Sequence, residues 1–154
     1  MSLLSLLLSL HLIAAISWIG GVFLIDLFLV PALRRHIAEP AVRLTLVHGL
    51  FRVFFGWVWL AGAVLLVTGF IMIFRLGGFG VLNEAMWEMV TGGSLMVALA
   101  LYVFFGPFLA LGRAVHMADW PAAARAAGRI RWLSSVNLVL AVPVVMAGVR
   151  ALNG

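Results

Sequence analysis

Long apolar runs alternate with short polar segments along this chain. Four of them stand out, at about Leu3–Leu33, Val53–Phe74, Met89–Leu111 and Trp132–Leu152. Each meets the length of about 20 residues that a helix needs to cross a bilayer. In lipid the backbone must bond to itself, which leaves helices as the reasonable form for runs of this length. The pattern predicts an all-α fold, a polytopic membrane four-helix bundle that forms a single transmembrane domain over residues 1–154.

The polar segments between the runs predict an orientation. The regions at about Arg34–Arg52 and Gly112–Arg131 each hold four Arg and one acidic residue, whereas Arg75–Glu88 holds one Arg and two Glu. The positive-inside rule then assigns the first and third loops to the cytoplasm and both termini to the outside. We predict an N-out, C-out protein of the bacterial inner (plasma) membrane. The first run is too long and lacks the basic start and clean cleavage site of a signal peptide.

A weak internal repeat follows the first and third runs. Each continues with a proline, an arginine, a His-x-Ala-acid element and a second proline: Pro31, His36, Glu39 and Pro40, then Pro107, His116, Asp119 and Pro121. Runs one and three point in the same direction, so the pattern favours a parallel 2+2 helix repeat about an axis along the membrane normal. The alternative is that two cytoplasmic span ends gather the same residue types.

Composition narrows the chemistry. With 66% hydrophobic and only 10% charged residues, the chain is neither a soluble globule nor a disordered segment. It has no Cys and no Lys, which excludes disulfides, thiolate metal sites and Schiff bases. The net charge of +5 is carried by arginines spread between apolar runs, so we expect a lipid bilayer and not a nucleic acid as partner.

His11 is the first candidate for chemistry. An ionisable residue inside a membrane span normally faces the bundle interior and indicates a functional site. Trp18 follows seven residues later on nearly the same helical face. A neutral histidine there suits an axial heme ligand, a Cu(I) ligand or a proton relay. The alternative is a histidine bonded to a neighbouring helix. Depth along the spans puts Thr68 and Met146 level with His11.

Asp26, deeper in the same span, is the second candidate. Asn137 is expected at a similar depth, and Arg52 or His48 is within reach. The residues fit a proton relay or a polar clamp between helices, and both interpretations remain open.

The other histidines fall on the predicted cytoplasmic side. His48 and His116 are expected at similar depth on neighbouring helices, an arrangement by which bundles hold heme b. The alternative is exposed loop histidines, which is our interpretation of His36.

Several methionines map to the outer half of the bundle, on the side of His11: Met72, Met86, Met89 and Met146. Met86 and Met89 share one helical face. Thioethers and imidazole suit Cu(I), whereas the alternative is that methionine fills apolar gaps.

The chain resembles the copper-resistance protein D (CopD)-like membrane proteins. The likeness lies in His11–Gly21 (HLIAAISWIGG), Pro31–Arg34, Phe51–Trp59 and Thr68–Gly69, and Ala122–Asn137 is similar to the tail of the short stand-alone members. It implies a small multi-pass membrane protein connected with copper.

The His-x6-Trp element of the first run is also similar to the HemJ-type protoporphyrinogen oxidases. That family is four-helical at its core and binds heme b through a first-span histidine, which corresponds to His11. It also uses a lysine in a later span, and this chain has none. The difference argues against protoporphyrinogen oxidation but not against heme binding.

The leading hypothesis is that the chain is a heme b protein with a redox or electron-transfer role. It would then be a candidate heme-dependent oxidoreductase. His11 would be an axial ligand and Trp18 would pack beside the macrocycle. The second axial position would come from Met146, His48 or His116, or stay open.

Two other hypotheses come from different classes. One is copper binding or transport across the inner membrane by His11 with the outer methionines. The other is a cofactor-free structural subunit or assembly factor of a larger membrane complex. A quinone or a porphyrin is a candidate small-molecule partner, and a homo-oligomer is compatible with the small loops.

Overall fold

Four long helices make up nearly all of the chain in the computed structural model, which describes residues 2–153. They are α1 (Leu3–His36), α2 (Pro40–Leu76), α3 (Glu84–His116) and α4 (Trp120–Asn153). The described residues contain no strand, and each helix is long and apolar enough to cross a bilayer. The predicted all-α four-helix bundle is confirmed, while its orientation in the membrane stays a prediction.

The helices extend beyond the predicted spans, so that two of the expected loops are mostly helical. At one end of the bundle only residues 37–39 and 117–119 connect helices, and we call this the arginine-rich end. Pro40 is the first residue of α2, and Asp119 Oδ1 accepts a hydrogen bond from Ala122 N at 2.9 Å. A proline in the first turn and an aspartate N-cap both favour helix starts. Hydropathy detects only the apolar part of such helices.

Helices α1 and α3 each contain a five-residue π segment, Ile25–Leu29 and Phe104–Phe108. Pro31 follows the first segment closely and Pro107 lies inside the second. Proline has no N–H for the α-helical ladder, which explains why the ladder is interrupted there. The final α-helical stretch is 7 residues long in α1 and 8 in α3. The predicted 2+2 repeat therefore has a counterpart in the backbone.

The bundle consists of two hairpins, with α1 packed mainly on α2 and α3 mainly on α4. The hairpins meet in a core that includes Trp18, Phe55 and Phe108, and the last two rings lie 4.8 Å apart between centroids. Large apolar side chains also cover the outside, as at Ile16 (69% exposed) and Val53 (77% exposed). Such a surface is compatible with lipid and not with water.

Gly92 and Gly93 form a matched pair for testing the contact between α3 and α4. A Cβ at Gly92 would lie 2.5 Å from Val144 Cγ2, whereas a Cβ at Gly93 would meet no atom within 4 Å. Because valine is stiff at χ1, we expect Gly92→Ala to destabilise the protein by about 1–3 kcal/mol. We expect Gly93→Ala to be neutral or slightly stabilising. Thermal unfolding in detergent, followed by tryptophan fluorescence, measures the stability of both variants. Equal changes in stability would contradict the close contact between Gly92 and Val144.

Candidate functional site

Three polar side chains are buried in the bundle: Asp26, Thr68 and Asn137 are 2%, 4% and 6% exposed. A buried polar group is costly unless it is hydrogen-bonded, so its partners are informative. Thr68 contacts His11, while Asp26 and Asn137 belong to the other half of the bundle. His11 and Asp26 are about 22 Å apart along α1 at about 1.5 Å per residue. The two regions are therefore separate sites.

The hydrogen bonds around His11 favour one tautomer of its imidazole ring. Thr68 Oγ1 donates its proton to the carbonyl oxygen of Val64 at 2.6 Å. His11 Nδ1 lies 2.8 Å from the same hydroxyl oxygen. Because Val64 O can take the single proton of the Thr68 hydroxyl, we assign Nδ1–H as the donor in this contact. The neutral imidazole then keeps the lone pair on Nε2, which is the state of a histidine that can bind a metal.

Two glycines of α2 make room for His11 and Trp18. A Cβ at Gly69 would lie 3.4 Å from His11 Cε1, and one at Gly62 would lie 4.0 Å from Trp18 Cζ3. The glycines are seven residues apart, as are His11 and Trp18, so each aromatic ring meets a glycine across the antiparallel hairpin. His11 and Trp18 therefore lie on one face of α1, against α2. His11 is half-buried and Trp18 is 4% exposed.

The methionines expected near His11 are divided between the hairpins. Met72 lies on α2, one turn after the threonine that bonds His11 and on the same face. Met89 Sδ would lie 3.6 Å from a Cβ at Gly148, so this side chain packs between α3 and α4. Met146 is 60% exposed on the outside of α4. The half-buried Met86 is also on α3.

Asp26 lies in the π segment of α1, and neither of its carboxylate oxygens has a hydrogen-bond partner. The backbone carbonyl of Asp26 lacks its expected hydrogen-bond donor within α1. Val30 N donates to Ile25 O, five residues earlier, so Asp26 O would need the N–H of residue 31. Residue 31 is Pro31, which has none. Arg131 Nη2 donates to Asp26 O at 3.4 Å, so α4 supplies the donor that the proline lacks.

The partner of Asp26 is Arg131, and not Asn137, Arg52 or His48 as the sequence analysis expected. Asn137 Nδ2 instead donates to Met96 O at 3.3 Å, which joins α4 to α3 as a polar clamp. Arg52 is exposed. Sequence reasoning missed Arg131 because it lay in a region interpreted as a loop. The aspartate cap and proline at the start of α4 were the signals that this region is helical.

His48 lies in the contact between α2 and α3. Its ring is stacked on Phe108 with centroids 5.5 Å apart, and its Nε2 would lie 3.0 Å from a Cβ at Gly112. Gly112 and His116 share one face of α3. His116 is exposed, as is His36. The ring of His48 therefore packs directly on α3 at Gly112, where the absence of a Cβ leaves room for it.

Two small cavities lie between the helices, with volumes of about 10 and about 20 Å³. Both are lined by Trp18, Val22 and Asn137, and Ser134 adds a second polar group to the larger one. A cavity of this size has room for about one water. Neither cavity admits a macrocycle. Within residues 2–153, no three His, Cys, Asp or Glu side chains converge as a metal site.

Comparison of the chain with protein-family models, with curated proteins and with solved structures finds no match. The resemblance to the CopD-like and HemJ-type proteins therefore stays a prediction from the sequence motifs of this chain.

Proposed function

We propose that this protein binds heme b through Nε2 of His11 and has a redox or electron-transfer role in the bacterial inner membrane. The observation that supports this is the hydrogen bond from His11 Nδ1 to Thr68, which leaves the lone pair on Nε2. Axial histidines of heme proteins are neutral imidazoles whose other N–H is commonly held by an acceptor. Heme b, when bound, supplies one-electron chemistry tuned by its axial ligand and its burial.

Nε2 of His11 is a suitable heme ligand, but the two cavities lined by Trp18 and Asn137 are too small for the macrocycle. These two cavities are water-sized, and Trp18 fills the space beside Gly62. A macrocycle on His11 would therefore lie at the half-exposed edge of the α1–α2 hairpin, and Trp18 would support the fold instead of stacking on the porphyrin. Met146 faces outward, His48 packs on Phe108 and His116 is exposed, so His11 is the residue of this chain that would hold the heme.

The visible spectrum of the purified protein, oxidised and reduced, tests the proposal. We expect a Soret band in the wild type, as purified or after hemin addition, and its loss in His11→Ala. His36→Ala is the matched control, because this histidine is exposed at the arginine-rich end, and it should keep the band. A wild type with no Soret band even after hemin addition would contradict heme binding. A colourless, metal-free chain that copurifies with a larger partner would favour a structural subunit.

Copper is the second candidate ligand, and the position of Met72 supports it. This methionine lies on α2 one turn from Thr68, on the face that meets His11. A neutral imidazole and a thioether together suit Cu(I). Metal analysis of the same samples distinguishes the two candidates. Copper that is lost in both His11→Ala and Met72→Leu would favour the second, whereas heme iron that is lost only in His11→Ala would favour the first.

A further inference from the structure

One buried amide oxygen of the bundle has no hydrogen-bond partner among residues 2–153. Asn137 is 6% exposed, and its Nδ2 donates to Met96 O at 3.3 Å. This contact assigns the orientation of the amide, because a carbonyl oxygen can accept only from the NH₂ group. Asn137 Oδ1 is then directed away from Met96 O, and no donor reaches it. Buried polar atoms of folded proteins are nearly always paired, so a donor from outside the chain is expected at this oxygen.

The unpaired oxygen belongs to a side chain that lines both cavities between the helices. The larger cavity has a volume of about 20 Å³, and Ser134 of α4 and Trp18 of α1 also line it. Ser134 Oγ forms no hydrogen bond with any side chain or carbonyl in the described part of the chain. Two polar side chains of α4 therefore border this cavity with hydrogen-bonding capacity to spare.

The indole N–H of Trp18 is a third polar group with spare capacity. Cζ3 of Trp18 faces α2, where it would lie 4.0 Å from a Cβ at Gly62. Nε1 is on the opposite side of the indole ring from Cζ3, so the N–H is directed away from Gly62. It donates to no acceptor within the residues that the structure describes. Helix α1 therefore offers a donor to a cavity whose α4 side offers an acceptor.

The size and the polarity of the larger cavity indicate its ligand. A cavity holds a water molecule when it has room for about one and offers two to four hydrogen-bonding groups. No charged side chain lines this cavity, which disfavours an ion. We propose that one ordered water molecule binds here, donating to Asn137 Oδ1 and accepting from Trp18 Nε1–H. Ser134 Oγ is its third partner, since a hydroxyl can donate or accept.

This water connects the two hairpins. Trp18 belongs to the α1–α2 hairpin and Asn137 to the α3–α4 hairpin, whose own helices the Asn137–Met96 hydrogen bond joins. The other side chains around the cavity are apolar, so they separate the water from the outside of the bundle. The two hairpins are therefore linked by a hydrogen-bonded bridge in an otherwise apolar core.

Cross-relaxation between protein protons and water, measured by NMR on the full-length protein in detergent micelles, tests the site. With ¹⁵N-labelled tryptophan we expect a cross-peak between the indole proton of Trp18 and water, and its absence in Trp18→Phe assigns the signal. A wild type whose Trp18 indole proton shows no cross-peak to water would overturn the site.

Ala100→Val and Ala98→Val are the matched variants. Ala100 lines the larger cavity, and the two added methyl groups would take the volume of the water. Ala98 is exposed on the same helix and lines neither cavity. We expect Ala100→Val to lose the cross-peak and Ala98→Val to keep it. Equal cross-peak intensities in the two variants would overturn the site.

Ser134→Ala distinguishes bound water from a signal relayed by the serine hydroxyl proton. The variant keeps Asn137 Oδ1 and Trp18 N–H, which are two partners for the water, so the cross-peak should persist. Its disappearance in Ser134→Ala would identify the hydroxyl as the source of the signal and overturn the proposal. This comparison with the wild type does not depend on whether Ala100→Val folds.

Discussion

Replacing Arg131 by leucine is expected to lower the free energy of unfolding by about 1–3 kcal/mol, the cost of leaving a buried polar group without its hydrogen-bond partner. The substitution leaves the Asp26 carboxylate without a nearby cation. It also leaves Asp26 O without a donor, because Pro31 has no N–H to offer. Unfolding in detergent with increasing dodecyl sulfate, followed by tryptophan fluorescence, measures the change.

Arg129→Leu is the control for this prediction, because it removes an exposed arginine two residues away and should change stability by less than about 0.5 kcal/mol. Asp26→Asn in the Arg131→Leu background should recover part of the loss, since asparagine is close in size and carries no charge. Similar stabilities of Arg131→Leu and Arg129→Leu would contradict a structural role of the Asp26–Arg131 contact.

Pro31→Ala tests the backbone part of the same contact. Alanine restores an N–H that can bond Asp26 O within α1, so Arg131 is no longer its required donor. The cost of Arg131→Leu should therefore be smaller in the Pro31→Ala background than in the wild type, and a double-mutant cycle measures the difference. An unchanged cost would mean that Arg131 acts on the carboxylate alone.

Replacing Thr68 by valine is expected to lower heme affinity about 10- to 100-fold, the usual effect of removing the group that orients a ligating histidine. Valine has nearly the shape of threonine but cannot accept the proton of His11 Nδ1. The variant should also lose about 1–3 kcal/mol of stability, because a buried donor is left without an acceptor. Hemin titration followed at the Soret band measures the affinity.

Two variants separate positioning from general damage at Thr68. Thr68→Ser keeps the hydroxyl and should keep most of the affinity. Thr45→Val removes a threonine of α2 whose Oγ1 bonds the carbonyl oxygen of Ala41 in the same way, but which is exposed and far from His11. It should leave both affinity and stability nearly unchanged.

A spectroscopic measurement without heme completes this test. The imidazole nitrogen shifts of labelled His11 should report a proton on Nδ1 in the wild type and in Thr68→Ser. Thr68→Val should lose that preference. A wild-type ring that carries its proton on Nε2 would contradict the arrangement, whether or not the protein binds heme.

Much of the architecture follows from the sequence because the lipid environment leaves few alternatives. Apolar runs of membrane length must be helical, and four of them with short connections form a bundle. The pairing of a candidate ligand with its partner also follows in part, since depth counting puts Thr68 level with His11. The same counting puts Met146 at that level, but it contains no information about which face of α4 meets the core. In the structure Met146 faces outward.

The sequence by itself determined the helical class, the number of spans and the concentration of arginines at one end. These depend on local hydropathy and charge, which act along the chain. Only the tertiary structure decided that Arg131 bonds the carbonyl of Asp26 and that Gly69 and Gly62 accommodate His11 and Trp18. It also decided that the two cavities lined by Trp18 and Asn137 are too small for a macrocycle. Helix rotation and hairpin register decide these contacts, and both are set by how all four helices pack together.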